Sequence, residues 1–331
     1  MYEVVRRDRA GSSSDLTGPT TGGFARRGVI ARKHALVTGA STGIGRATAL
    51  RLVAEGFHVF AAVRREEDGD ALAAGTYGLL TPLIMDVTRP EDIARAVERT
   101  TERVGEHGLD LLVNNAGIGV FEPLELVPME RFRAQLEVNV TAQLAVTQAF
   151  LPLLRRAGGR IVMMGSVAGR ITLPFAGGQA ASKRAVQALA EALRQELAPW
   201  RLPVILVEPA SIRSEDVDKL AVEVRSAPRR FGAAGRALYG GAFTQMTTRA
   251  VRLAAHGSSP ERVAEVIARV ATSYRPRSRY LVGRYALLLA VLALLPAALL
   301  DALLRKLFAL PEPGAFPLTP PLESIQRRQP A

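Results

Sequence analysis

The sequence contains no cysteine in 331 residues. Disulfides, thiolate zinc sites and cysteine nucleophiles are therefore excluded, and the chain suits a reducing, cytoplasmic compartment. Only four histidines occur, His34, His58, His107 and His256, and no two stand at a metal-ligand spacing along the chain. No metal site is expected from them. Long runs of Lys/Arg and basic helices with interleaved aromatics are also missing, although the net charge is +12. That charge reads as arginine on solvated faces, and nucleic acid is not an expected partner. The opening residues hold no apolar core of signal-peptide length, and no internal repeat is seen.

What is present is a globular composition. Hydrophobic residues make up 48% of the chain, too many for disorder and enough for a large core. Residues 1–32 are rich in Gly, Ser, Thr and Arg and read as a flexible basic extension. From 33 to 283, short apolar runs alternate with amphipathic stretches. The runs are 34–39, 58–63, 79–87, 109–117, 159–166, 203–210 and 279–283; helical spacing marks 44–55, 90–104, 142–157, 180–200 and 259–272. Runs that are apolar throughout suit strands covered on both faces. The alternation predicts an α/β fold, a doubly wound parallel sheet of about seven strands. Residues 311–331 form a Pro-rich tail.

The run "HALVTG" leads directly into "ASTGIGRATAL", with glycines at 39, 43 and 45. Glycine allows a tight strand-to-helix turn and lets a phosphate approach the backbone. The helix N-terminus then meets a dinucleotide pyrophosphate with free N–H groups. At the end of the second run an acid would hold the ribose hydroxyls of NAD. Val63 stands there instead, followed by Arg64 and Arg65, which could clamp a 2′-phosphate. NADP(H) is preferred on this ground, with NAD(H) left open.

These residues resemble the short-chain dehydrogenase/reductase family, closest in style to its retinol- and hydroxysteroid-dehydrogenase-like members. "TGASTGIG" is similar to its cofactor signature, "MDVT" to its third-strand motif and "NNAG" to its fourth. The resemblance covers about Lys33 to Gly283 and implies a Rossmann-type sheet. It implies cofactor contacts from Gly39, Ser41, Thr42, Gly43, Ile44, Gly45, Asp86, Val87, Asn115, Ala116 and Gly117, with Asp86 at the adenine. Pro209 and Ile212 in "EPASIRS" match the segment after the sixth strand, where Ala210 replaces the usual glycine. The resemblance also implies that Asn139 holds a relay water, Ser166 bonds the substrate oxygen and Lys183 binds the nicotinamide ribose.

One departure touches the chemistry. The family's Tyr-x-x-x-Lys reads Gln179-Ala-Ala-Ser-Lys183 here, and no tyrosine lies between Gly78 and Leu238. A glutamine amide donates a hydrogen bond but cannot serve as an acid near neutral pH. Three readings stay open. One is an oxidoreductase of altered proton transfer acting on a lipophilic carbonyl or alcohol, its proton coming from water through Asn139 and Lys183 or from Tyr239. Another is a non-catalytic NADP(H)- and lipid-binding protein acting as sensor or partner subunit. In the third the substrate carries its own acid. Residues 211–259 are the expected substrate loop.

The segment 285–300 carries no charge, contains Pro296 and is followed by Asp301, Arg305 and Lys306. A spanning helix needs about 20 apolar residues, so this run is short for one. Within 284–310 the expectation is an apolar helical segment that must bury itself. It would cap the substrate cleft, form a homodimer contact, or make a peripheral membrane contact through 285–308.

Overall fold

The computed structural model describes residues 32–213 and 215–315. Residues 1–31 of the expected basic extension 1–32, and residues 316–331 of the expected tail 311–331, lie outside the described residues. Seven strands form one sheet: β1 (His34–Thr38), β2 (His58–Val63), β3 (Leu80–Ile84), β4 (Leu111–Asn114), β5 (Arg160–Met164), β6 (Val204–Pro209) and β7 (Arg279–Val282). All neighbours pair in parallel in the order β3-β2-β1-β4-β5-β6-β7. The order reverses between β1 and β4, which opens a crevice beyond the carboxyl ends of those strands.

Helices cover both faces. In chain order they are α1 (Gly43–Ala54), α2 (Glu66–Ala73), α3 (Pro90–Val104), α4 (Met129–Leu136), α5 (Ala142–Ala157), α6 (Gly177–Glu196), α7 (Glu215–Ser226), α8 (Gly232–Ala255), α9 (Pro260–Thr272), α10 (Ala286–Leu292) and α11 (Ala297–Phe308). Side chains alternate along β1 as the pleat requires. Ala35 and Val37 pack with Leu52 of α1 and Ile267 of α9. Leu36 points the other way, into a cluster with Phe150 of α5 and Val186 of α6. Both sides are dry, which is why the strand sequences are apolar throughout.

Three features differ from the sequence reading. The expected loop 211–259 is mostly helical, as α7 and α8. Two of its glycines, Gly240 and Gly241, sit in the middle of α8, where Phe243 packs on Phe231 and Ala227 and anchors the helix. α6 begins at Gly177 rather than at residue 180, so Gln179 lies in its first turn. The third difference concerns histidine. His34, His107 and Asp110 place their ligating atoms within 4.8 Å of one another at the amino ends of the strands, away from the crevice. Chain spacing did not reveal this, because folding alone makes them neighbours. The Asp110 carboxylate accepts hydrogen bonds from the His34 backbone N–H and from His107 Nε2, each at 2.8 Å. Burial, helped by the Arg103 charge, pushes neighbouring His58 down to about 4, so it is neutral.

Candidate active site

The glycine turn after β1 is wound so tightly that side chains do not fit in it. Gly39 has φ +63°, and a Cβ there would lie 2.9 Å from Ala116 Cα. At Gly45 a Cβ would lie 2.1 Å from the Gly39 carbonyl oxygen. Thr38, the first residue of the "TGASTGIG" signature, locks this turn to the end of β4. Its hydroxyl accepts the N–H groups of Asn115 and Ala116 at 2.9 and 3.0 Å. Asn115 returns two bonds from Nδ2 to the carbonyls of Thr38 and Gly39, at 2.9 and 3.1 Å. The first turn of α1 carries no acid, so its positive end stays available to an anion. Ser41, Thr42, Gly43 and Ile44 are half-buried along this turn, and Gly117 is exposed beside it. A cradle built this way fits a dinucleotide pyrophosphate.

The adenosine end is formed by the ends of β2 and β3. Val63 is buried. Arg64 is exposed and makes no hydrogen bond or ion pair among the described residues. Arg65 does not join it in a clamp: its guanidinium grips Asp68 through two bonds of 2.9 and 2.7 Å. Asp86 accepts the Thr88 N–H and hydroxyl at 2.9 and 2.7 Å. Burial pushes its carboxyl up, but those bonds together with Arg64 and Arg89 outweigh this and hold it below the usual range. Val87 is half-buried next to it.

The other end gathers Ser166, Gln179, Asn139 and Lys183. Ser166 follows β5. Its hydroxyl accepts the Ala168 N–H at 3.1 Å and donates a long bond of 3.4 Å to the Pro209 carbonyl. The turn carrying it is fixed by Arg170, which meets the buried Glu208 of β6 through two bonds of 2.8 Å. Ile212 bridges to Ser258 just beyond β6 and packs on the core. Lys183 is buried, with Nζ donating to the Met164 carbonyl at 2.7 Å. Burial pulls its ammonium down to about 8.

Asn139 lies on a π-helical turn, Glu137–Thr141, joining α4 to α5. Its Oδ1 accepts the Ile118 N–H at 2.8 Å and its Nδ2 donates to the Ile118 carbonyl at 2.9 Å. These two bonds define which end of the amide is which. The same Nδ2 reaches Gln179 Oε1 at 3.3 Å and Ser182 Oγ at 3.1 Å. Gln135, one turn earlier and fully buried, donates from Nε2 to the Ile118 carbonyl at 3.3 Å and to Gln179 Oε1 at 2.7 Å. Two donors therefore hold the oxygen of Gln179. Its Nε2 makes no hydrogen bond among the described residues and is the end left to a ligand. Sequence reasoning missed Gln135, although its position four residues before Asn139 puts both on one helix face.

Tyr239 is anchored on the rim of the site. Its hydroxyl donates to the Glu125 carboxylate, and that bond, with burial, pushes the phenol up to about 12. It holds its proton too firmly to act as an acid near neutral pH. Nearby, Arg230 of the helix-rich segment reaches the buried Glu122 at 2.6 Å and Glu223 at 2.8 Å. The pair with Glu122 ties the 211–259 segment to the loop after β4, and the pair with Glu223 braces the segment internally.

A model of the family described as short chain dehydrogenase matches residues 33–223, more than half of the chain. The chain belongs to this family. Short-chain dehydrogenases are NAD(P)-dependent oxidoreductases. The NADPH-dependent 3-dehydrocapnine reductase of Ornithobacterium rhinotracheale is 33% identical, over 83% of this chain and 96% of its own. Retinol dehydrogenase 5 of Mus musculus is 34% identical, over 84% of this chain and 89% of its own. The solved structure of a short-chain dehydrogenase from Streptomyces avermitilis superposes with a TM-score of 0.65 at 27% identity, covering 84% of this chain and 95% of that one.

Proposed function

We propose that this dehydrogenase transfers hydride between NADP(H) and the carbonyl or alcohol carbon of a lipophilic substrate, with Gln179 as a hydrogen-bond donor where the family's tyrosine acts as an acid. The observation that carries this reading is the orientation of Gln179. Gln135 and Asn139 bind its oxygen, so its N–H₂ is what a substrate oxygen meets. When bound, the nicotinamide supplies the hydride or accepts it.

The chain's own groups do the rest. The Ser166 hydroxyl gives up its long bond to Pro209 and donates, with Gln179, to the substrate oxygen. Fixed donors of this kind favour the charge that develops there during reduction. Lys183 keeps a proton one helical turn away, about 6 Å along the axis. Burial makes that proton available near neutral pH, and water relays it to the oxygen. The Asn139 side chain is spent on Ile118, Gln179 and Ser182, so its proposed role is to position Gln179 rather than to hold a relay water. The half-buried apolar side chains of Leu173 and Phe175, in the segment between Ser166 and Gln179, support a lipophilic substrate, with 211–259 as the element that selects it.

Preference for NADP(H) is supported by the unpaired Arg64 and by the absence of an acid at Val63. It is also supported by the NADPH dependence in the name of the Ornithobacterium relative. Arg64→Ala is expected to weaken NADPH binding by about 10- to 100-fold and leave NADH binding nearly unchanged, since one charge-assisted phosphate contact is lost. Arg65→Ala, already engaged with Asp68, is expected to cost far less. Titration of nicotinamide fluorescence measures both; equal losses would overturn the assignment of Arg64.

The test of function is that titration together with NADPH oxidation on a panel of lipophilic carbonyls. Binding with turnover on at least one of them supports the oxidoreductase. Binding without turnover, in the wild type and in Gln179→Tyr, establishes the non-catalytic sensor or subunit instead. No binding ends both readings.

A further inference from the structure

The last two helices, α10 and α11, form a hairpin broken at Pro296, which caps α11. Its inner face is spoken for. Leu289, Leu300, Leu304 and Phe308 pack on Ile171 and Phe175, in the segment that links Ser166 to Gln179. Ala286 also packs beside Val167 and Ala210. The hairpin thus forms an outer wall of the substrate end of the cleft.

Its outer face is apolar too, and nothing among the described residues covers it. Leu287, Leu288, Val291 and Leu294 are exposed at helical spacing along α10 and its turn, and Leu299, Leu303 and Leu307 are exposed at helical spacing on α11. Leu287 is 70% exposed, Leu294 82% and Leu299 59%. Single exposed leucines are ordinary; a continuous face of them marks a contact surface. Cations outnumber acids at its margin. Between residues 284 and 312 the charged residues are Arg284, Arg305 and Lys306 against Asp301 and Glu312. Arg249 of α8 adds a further cation, bonded to the Leu307 carbonyl at 2.5 Å.

We infer that this face docks into one leaflet of a bilayer containing anionic lipid. A leucine face rimmed by cations is complementary to acyl chains below and anionic headgroups around them. The same rim opposes a second copy, because two positively charged margins would be brought together in a chain of net charge +12. The hairpin lies on the membrane rather than crossing it: no helix among the described residues is long and apolar enough to span. Docking places the cleft wall against the leaflet, so a lipophilic substrate reaches the cleft without passing through water. That last consequence rests on the proposed oxidoreductase reading; the docking does not.

The experiment is flotation of the full chain with phosphatidylcholine vesicles, with and without phosphatidylserine, at low and high salt. Binding is expected with phosphatidylserine, weaker without it, and weaker in high salt. Leu294→Asp and Leu299→Asp should each weaken it about tenfold. Arg305→Glu with Lys306→Glu should erase most of the preference for phosphatidylserine. Melting temperature and NADPH affinity verify that the variants are folded. No flotation with either vesicle overturns the inference, as does flotation that Leu294→Asp and Leu299→Asp leave intact. So does sedimentation showing that these variants turn a dimer into a monomer. NADPH oxidation with a small water-soluble carbonyl and no vesicles reports the chemistry alone, so its failure and the failure of docking are separable.

Discussion

Replacing Gln179 by tyrosine is expected to raise kcat for carbonyl reduction by about 10²–10³-fold, the scale of one well-placed general acid. Everything the phenol needs already surrounds the position. Lys183 lies one turn along α6, and Ser166 supplies the second donor to the substrate oxygen. The gain carries a structural cost. Gln135 Nε2 and Asn139 Nδ2 both lose the Gln179 oxygen; Asn139 keeps Ile118 and Ser182 for its two N–H groups, but Gln135 keeps only Ile118, and a buried N–H left without an acceptor costs about 1–3 kcal/mol. Gln135→Met in the same chain removes one of those donors along with the Gln135 oxygen, which has no partner. The double variant should therefore be faster than wild type and more stable than Gln179→Tyr alone. Steady-state kinetics with thermal melts checks both. A kcat unchanged in both variants would mean that proton transfer at 179 is not what limits the wild type.

Lys183→Met is expected to do two opposite things. Reduction should fall by at least about 10²-fold, because the cation that holds the proton and braces the site is gone. Stability at neutral pH should rise, by up to about 3 kcal/mol. Burial brings the ammonium from 10.5 to about 8, and each unit of that shift is worth about 1.4 kcal/mol. The sign follows from proton counting. Between pH 10.5 and 8 the unfolded chain holds this proton and the folded chain does not, so stability climbs as pH rises through that window. Below pH 8 both states are protonated and the full cost of burying the charge is present. Wild type should thus gain stability from pH 8 towards 10.5, and Lys183→Met should not. Its rate profile carries the same signature: wild-type kcat/KM for reduction should fall as pH rises through about 8, when the acid is lost. A methionine variant that keeps both the rate and the profile would remove Lys183 from the mechanism.

The framework was legible because its signals are local. α3 spans Pro90–Val104 and α5 spans Ala142–Ala157, the same bounds that periodicity marks. Pro90 with Glu91 and Asp92 starts α3 by filling positions that need no donor and favour negative charge. β2 was legible for its unbroken apolar run. α7 and α8 were not, because Gly240 and Gly241 weaken the local signal and the aromatic contacts of Phe243 compensate from elsewhere. The site was legible as a set of residue types; which of them engage one another was not. Arg64 and Arg65 read as a pair, yet Asp68 claims one of them.

The sequence by itself determined the parallel sheet, the glycine turn and the lack of an ionisable side chain at 179. Each depends on residue type and on neighbours within a turn or two. Only the tertiary structure decided which end of Gln179 faces a ligand, since Gln135 lies 44 positions away and Ile118, which orients both of its binders, lies on a separate loop. Only folding buries Lys183 and lowers its ammonium, and only packing on Ile171 and Phe175 divides the apolar hairpin into a wall and an open face. Hydrogen-bond direction, desolvation and one-sided burial belong to contacts between distant segments, and those exist only once the chain has closed on itself.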